Sequence, residues 1–159
     1  MTPKKILRRP GPDMDPDWGS GLPPLLRRLY AARGVSSDAE LAYTLKHLAS
    51  PMQLQGIDRA VELLADAIGQ QKKVLILGDF DADGATSTAV AMLGLSMLGL
   101  GQIDFRVASR FAVGYGLTPG IIHRLVEEGE TPDLLVTVDN GISAHEGVRA
   151  AREAGMQVV

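Results

Sequence analysis

The sequence predicts an α/β protein: a parallel sheet flanked by helices, preceded by an all-helical lead-in. Three observations predict it. From Lys73 onward, short apolar runs alternate with helix-periodic segments in the order β-α-β-α-β-α-β, the pattern of a parallel sheet with helical crossovers. Before Lys73 the apolar spacing is helical wherever it is periodic. The first apolar run, Val74 to Leu77, ends in Gly-Asp-Phe-Asp-Ala-Asp-Gly, a strand leading into an acidic turn and then a helix-forming run.

Taken in order, residues 1–21 are rich in Pro, Gly and Asp and read as a disordered or loose leader. Leu22 to Arg33 reads as a helix, with Pro23 and Pro24 near its start and Gly34 just past its end. Ser37-Asp-Ala-Glu40 has the form of a capping box opening a second helix toward Leu48, broken by Ser50-Pro51. Apolar residues at 57, 60, 61, 64, 65 and 68 mark a third helix. Residues 22–72 thus form a helical lead-in whose job is to pack on the α/β part of the chain.

The α/β part spans residues 73–159. Val74 to Leu77 is a buried strand and Ala85 to Leu98 a helix. Ile103 to Ala108 is a second strand. Thr118-Pro119 supplies the cap and first-turn Pro of a helix reaching Glu128. Leu134 to Val138 is the third strand, and Ser143-Ala-His-Glu146 a second capping box opening a helix that ends at Gly155. Met156 to Val159 begins a fourth strand. A buried parallel strand needs neighbours and a continuation, so the chain reads as a truncated piece of a longer protein; a short terminal edge strand is the other reading.

Composition narrows the classes. At 159 residues, 45% hydrophobic and 22% charged, the chain has the make-up of one soluble globular domain with a real core. It contains no cysteine, which excludes disulfides and thiolate metal sites and is compatible with a reducing compartment. No secretory signal opens it, and its most apolar stretch, Ala89 to Gly101, is far short of the ~20 residues that span a bilayer. The expectation is a cytoplasmic protein with no membrane partner. Net charge is −3, unevenly spread: residues 1–37 hold seven Lys/Arg against three Asp, and 38–159 hold nine against sixteen acids. The basic arm is either a contact to a polyanion or a solvated segment.

The acidic turn is the informative stretch. Asp79, Asp81 and Asp83 fall within five residues, and no Lys or Arg lies between Lys73 and Arg106. At ~4 Å and an effective dielectric of ~20, each close pair of carboxylates costs on the order of 4 kcal/mol. A divalent cation with oxygen ligands is the simplest group to offset that. In an open parallel sheet, ligands sit beyond the carboxyl ends of the strands. Asp139, in Val138-Asp-Asn-Gly141, follows the third strand and so faces the same edge. Taken alone, Asp139-Asn-Gly141 is a turn former. Three alternating Asp with a fourth across the edge read as a metal site. His123 and His145, on helical segments, read as surface residues.

Three motifs compete for the first turn. Asp79-x-Asp81-x-Asp83-Gly84 opens like a calcium-binding EF-hand loop, but its twelfth position is Val90 instead of Glu and a strand enters it. Asp81-Ala-Asp83 fits the haloacid-dehalogenase pattern loosely, and that chemistry needs a downstream Lys, of which there is none beyond Lys73. A phosphate-cradling P-loop is excluded because its Gly-Lys pair is missing.

A closer match remains. Gly78-Asp-Phe-Asp-Ala-Asp-Gly-Ala-Thr-Ser87 resembles the first motif of the DHH phosphoesterase superfamily, in the form carried by the RecJ family of single-strand-specific exonucleases. Ser109-Arg-Phe-x-x-Gly-Tyr-Gly-Leu117 resembles that family's loop after the second strand, and Val136-Thr-Val-Asp-Asn-Gly-Ile-Ser143 resembles the second superfamily motif. The similarity covers about residues 25–159.

The resemblance implies the N-terminal part of a DHH domain and a site of two divalent ions, Mn²⁺ or Mg²⁺. It implies Asp81 and Asp83 as ligands, Asp139 as a ligand able to bridge both ions, and Asp79 as a ligand or a support to one. It implies that Arg110 and Tyr115 meet single-stranded DNA; an ion pair and a core-edge aromatic are their other readings. Asn140 is an orienter of these ligands or a turn residue. The implied activity is 5′→3′ single-strand DNA exonuclease action in repair and recombination, with single-strand binding protein as a partner. The superfamily's Asp-His-His triplet would follow the fourth strand, where this chain ends, so the 159 residues alone are expected to lack useful nuclease activity. A non-catalytic DHH-type binding or scaffold module, or a small-substrate DHH phosphoesterase, stands as the alternative. Oligomeric state is not legible.

Overall fold

The computed structural model describes residues 18–108 and 116–159. The chain divides into two compact units, Met1–Ser50 and Pro51–Val159.

In the first unit, Trp18 is buried, and a helix, α1, runs over Pro24–Ala31. Pro24 sits at a position where its missing N–H costs nothing. The second helix expected from the Ser37–Glu40 box is absent: two short 3₁₀ turns, Asp38–Leu41 and Leu45–His47, stand in its place. The Glu40 carboxylate accepts from Ser36 N and from the Ser36 and Ser37 hydroxyls at 3.0–3.1 Å. Ser37 therefore does not cap a backbone N–H, and Ala42 turns extended at ψ 103°.

The second unit holds the sheet. Helix α2 (Ile57–Gly69) precedes β1 (Val74–Gly78), α3 (Ala82–Met97), β2 (Ile103–Val107), α4 (Pro119–Glu127), β3 (Leu134–Thr137), α5 (His145–Glu153) and β4 (Gln157–Val158). The four strands are all parallel in the order β2-β1-β3-β4. Val74 stands opposite Ile103 on one side and Leu134 on the other. This is the parallel sheet flanked by helices that the sequence predicts.

Alternation along the central strands divides the core into two layers. Val74, Ile76, Leu134 and Val136 pack toward Ala67 of α2 and Leu95 of α3. Leu75, Leu77 and Leu135 point the other way, toward Ile121, Ile122 and Leu125 of α4 and Ala151 of α5. All five residues of β1 are buried, as a central strand covered on both faces requires. The chain leaves β1 toward β2 and then returns across it to β3. Such a reversal opens a crevice at the carboxyl ends of β1 and β3, where ligands of open α/β sheets bind.

Two helix starts differ from expectation. Helix α3 begins at Ala82, three residues early, because the Asp81 carboxylate accepts from Gly84 N at 3.1 Å and serves as its N-cap. Helix α5 is not opened by a capping box. A turn closed by Ala144 N donating to Gly141 O (3.0 Å) makes Ala144 the N-cap, leaving Ser143 one residue too early. Thr118 caps α4 as expected, accepting from Ile121 N.

Candidate metal centre

The crevice gathers acid from both of its walls. Asp79 leaves the end of β1, Asp81 caps α3, and Asp139 stands two residues beyond β3. One carboxylate oxygen from each of these three lies within 4.8 Å of the others. Asp79 and Asp139, 60 positions apart in sequence, converge because β1 and β3 are adjacent and parallel.

Each member has a different setting. Asp79 is only 2% exposed and accepts from Phe80 N at 2.8 Å. Asp81 spends one oxygen on the helix cap and is otherwise exposed. Asp139 is exposed and takes φ +60°, a left-handed conformation that Asp tolerates better than most residues. Its carboxyl is held above the ordinary carboxylate range, by desolvation first, then by the charges of Asp81 and Asp83, a hydrogen bond with Asp81, and the charge of Asp79. Asp83, in the first turn of α3, is exposed and contributes charge to the cluster without joining the close trio.

Behind the trio, Asn140 holds the two walls together. Its side-chain amide donates to Leu77 O (3.1 Å) on β1 and to Val138 O (2.9 Å). Gly84 lets α3 start against the strand end, since a Cβ there would land on the backbone of Asp79.

Among the described residues, the ion pairs join Arg59 to Glu62, Lys72 to Asp66, and Arg106 to Asp104 and Glu130; none neutralises Asp79, Asp81, Asp83 or Asp139. The donor set is all carboxylate oxygen, the ligand class of hard divalent cations. The residues present fit such an ion. His123 and His145, on α4 and α5, are not part of the trio. Arg110 and Tyr115 lie outside the described residues.

Fold and site together define the class: an open parallel α/β domain that collects carboxylates, the ligand type of hard divalent cations, at its topological switch point. Residues 73–159 match the family described as "DHH family, N-terminal domain". The chain belongs to that family. It is 46% identical over 159 residues to the single-stranded-DNA-specific exonuclease RecJ of Salmonella typhimurium, covering 100% of this chain and 27% of that protein. Against the RecJ of Escherichia coli it is 47% identical over 153 residues, 96% of this chain and 26% of the other.

Among solved structures, an exonuclease RecJ bound to manganese superposes with a TM-score of 0.59 at 36% identity, covering 70% of this chain and 28% of that one. RecJ from Thermus thermophilus in complex with Mn²⁺ gives 0.55 at 32% identity, with 81% and 17% covered. The chain spans about a quarter of the length of the curated relatives it matches.

Proposed function

We propose that this chain supplies one wall of the metal centre of a 5′→3′ single-strand-specific DNA exonuclease, hydrolysing phosphodiesters in DNA repair and recombination. The observation that carries the reading is the convergence of Asp79, Asp81 and Asp139 at the switch point, with no cation among the described residues paired to them. Similarity to proteins named single-stranded-DNA-specific exonucleases supplies the substrate, and relatives solved with manganese supply the ion.

Asp81, Asp83 and Asp139 would hold the cations, with Asp79 as a further ligand or a support from its buried position. Two divalent ions, Mn²⁺ or Mg²⁺, would supply activation of water and charge stabilisation on the phosphodiester. Asn140 keeps the two acidic turns in register. Arg suits bidentate phosphate contact and Tyr suits stacking, which assigns Arg110 and Tyr115 to the strand. No helix among the described residues is long and apolar enough to cross a membrane, and the cytoplasm is the compartment that fits DNA processing. Single-strand binding protein is the partner such an enzyme would meet.

Isothermal titration with Mn²⁺, run beside degradation of a 5′-labelled single strand, tests this. Because the chain matches only a quarter of its relatives' length, it is expected to bind Mn²⁺ weakly and to digest nothing processively. Mn²⁺ binding that is unchanged by Asp81→Asn and Asp139→Asn would refute the metal centre. Processive digestion by the 159 residues alone would refute the incompleteness.

A further inference from the structure

An open groove of about 600 Å³ starts at the turn carrying Asp139 and runs along the outer face of α5. Gly141, Ile142, His145, Val148, Arg149, Arg152 and Glu153 line it. Positions 145, 149 and 152 recur at helical spacing and so lie on one face of α5. The opposite face, Gly147 and Ala151, is buried.

Three features set this groove apart from an ordinary solvated helix face. Glu146 and Glu153 lie within helical reach of Arg149, yet among the described residues neither Arg149 nor Arg152 forms an ion pair. Both guanidinium groups keep their donors available. Residues 38–159 carry nine Lys/Arg against sixteen acids, so paired free arginines are not what composition alone would place beside the acidic turn. Ile142 is 99% exposed, offering an apolar surface in the same lining as the two arginines.

We infer that this groove is a track for the sugar–phosphate backbone of a single nucleic-acid strand, with Arg149 and Arg152 contacting phosphates and Ile142 meeting a base or sugar. Planar guanidinium groups pair bidentately with phosphate oxygens, and an exposed apolar side chain beside them suits the unstacked faces of a single strand. The inference rests on the nuclease reading: the strand must be held near the carboxylates, which by themselves repel it, and the groove begins two residues after Asp139.

The test is fluorescence anisotropy of a labelled oligothymidylate with the full chain, in EDTA so that metal binding plays no part, over a salt series. The expected result is measurable binding by the parent at low salt. Arg149→Gln/Arg152→Gln should weaken it at least about fivefold and flatten the dependence of log affinity on log salt by about 1.4, roughly 0.7 for each phosphate no longer neutralised. Arg59→Gln on α2 is the control and should change neither quantity. Circular dichroism must show the double variant folded, and neither side chain is buried.

Absence of binding by the parent, an unchanged salt slope in the folded double variant, or an equal loss in Arg59→Gln overturns the track. Mn²⁺ titration of the same double variant should match the parent. If the parent fails to bind Mn²⁺ through its carboxylates while the arginine effect stands, the nuclease reading fails and the strand contact survives.

Discussion

Asn140 donates its side-chain amide to Leu77 O at 3.1 Å, a bond across 63 positions of sequence that ties the turn after β3 to the end of β1. Leu77 O also accepts from Val138 N at 3.1 Å, so this one carbonyl fixes the two acidic turns against each other. Asn140→Asp would turn a carboxylate oxygen toward two carbonyls and add a fifth acid beside Asp139. Urea denaturation is expected to show a loss of about 1–3 kcal/mol, the cost of leaving buried polar groups mismatched. Mn²⁺ affinity should fall with it. A loss no larger than that of an exposed surface substitution would mean that the bond does not hold the walls together.

Asp81 has two duties that substitution can separate. As N-cap of α3 it accepts from Gly84 N, and as a member of the trio it brings charge. Asp81→Asn keeps a side-chain oxygen for the cap and relieves repulsion, so thermal stability should hold or rise. Asp81→Ala removes the cap as well, worth about 1 kcal/mol, and should melt below Asp81→Asn. Both should lose Mn²⁺ binding and, in a full-length nuclease, cleavage. Equal melting of the two variants would show that the cap contributes nothing.

A cation at Asp139 would compete with protons. Its carboxyl in the folded chain is raised above the unfolded value by desolvation and by Asp81, Asp83 and Asp79. As pH rises, the unfolded chain therefore releases this proton first. The stability it contributes is complete below the unfolded carboxylate value and is lost as pH climbs through the folded one. Metal-free protein should become less stable across that interval, whereas Mn²⁺ affinity should rise over it. Melting curves from acid to neutral pH, with and without Mn²⁺, check both trends. Asp139→Asn should flatten the metal-free slope; an unaltered slope would remove Asp139 as its source.

Much of this was legible in the sequence because it depends on periodicity. The apolar runs at Val74 and Leu134, the helical spacing around Ile57, and acid at two strand ends follow from residue type and order alone. The placement of Asp79 and Asp139 on one edge then follows from parallel strands. What failed depends on backbone torsions that residue type does not determine. Ser37 and Glu40 occur at capping-box spacing, but Ser36 shares the Glu40 carboxylate and Ala42 is extended, so no α-helix grows. Ser143 and Glu146 have the same spacing, and the turn from Gly141 to Ala144 moves the cap one residue on. Helix α3 starts at Ala82 because Asp81 is both cap and candidate ligand, a double use that the alternating Asp pattern does not reveal. The bond from Asn140 to Leu77 joins residues that no local pattern relates.

Two glycines of α3 separate the close approach at the acidic turn from ordinary helix propensity. In a helix interior, Gly→Ala usually stabilises by about 0.5–1 kcal/mol, because glycine loses more freedom on folding. Gly94 has nothing within 4 Å of where its Cβ would be, so Gly94→Ala should show that gain. Gly84 is different: its added Cβ would overlap the backbone of Asp79, which cannot rotate away as a flexible side chain could. To accept the methyl group, α3 must lift from the end of β1, carrying Asp81 away from Asp79 and Asp139. Gly84→Ala should therefore destabilise by about 1–3 kcal/mol or more, the range for overpacking, and should weaken Mn²⁺ binding although no carboxylate has been altered. Urea denaturation of the two single variants, with Mn²⁺ titration of each, makes the comparison. If both substitutions shift stability in the same direction and leave metal affinity alone, α3 does not rest on the strand end, and the carboxylates are not held by that contact.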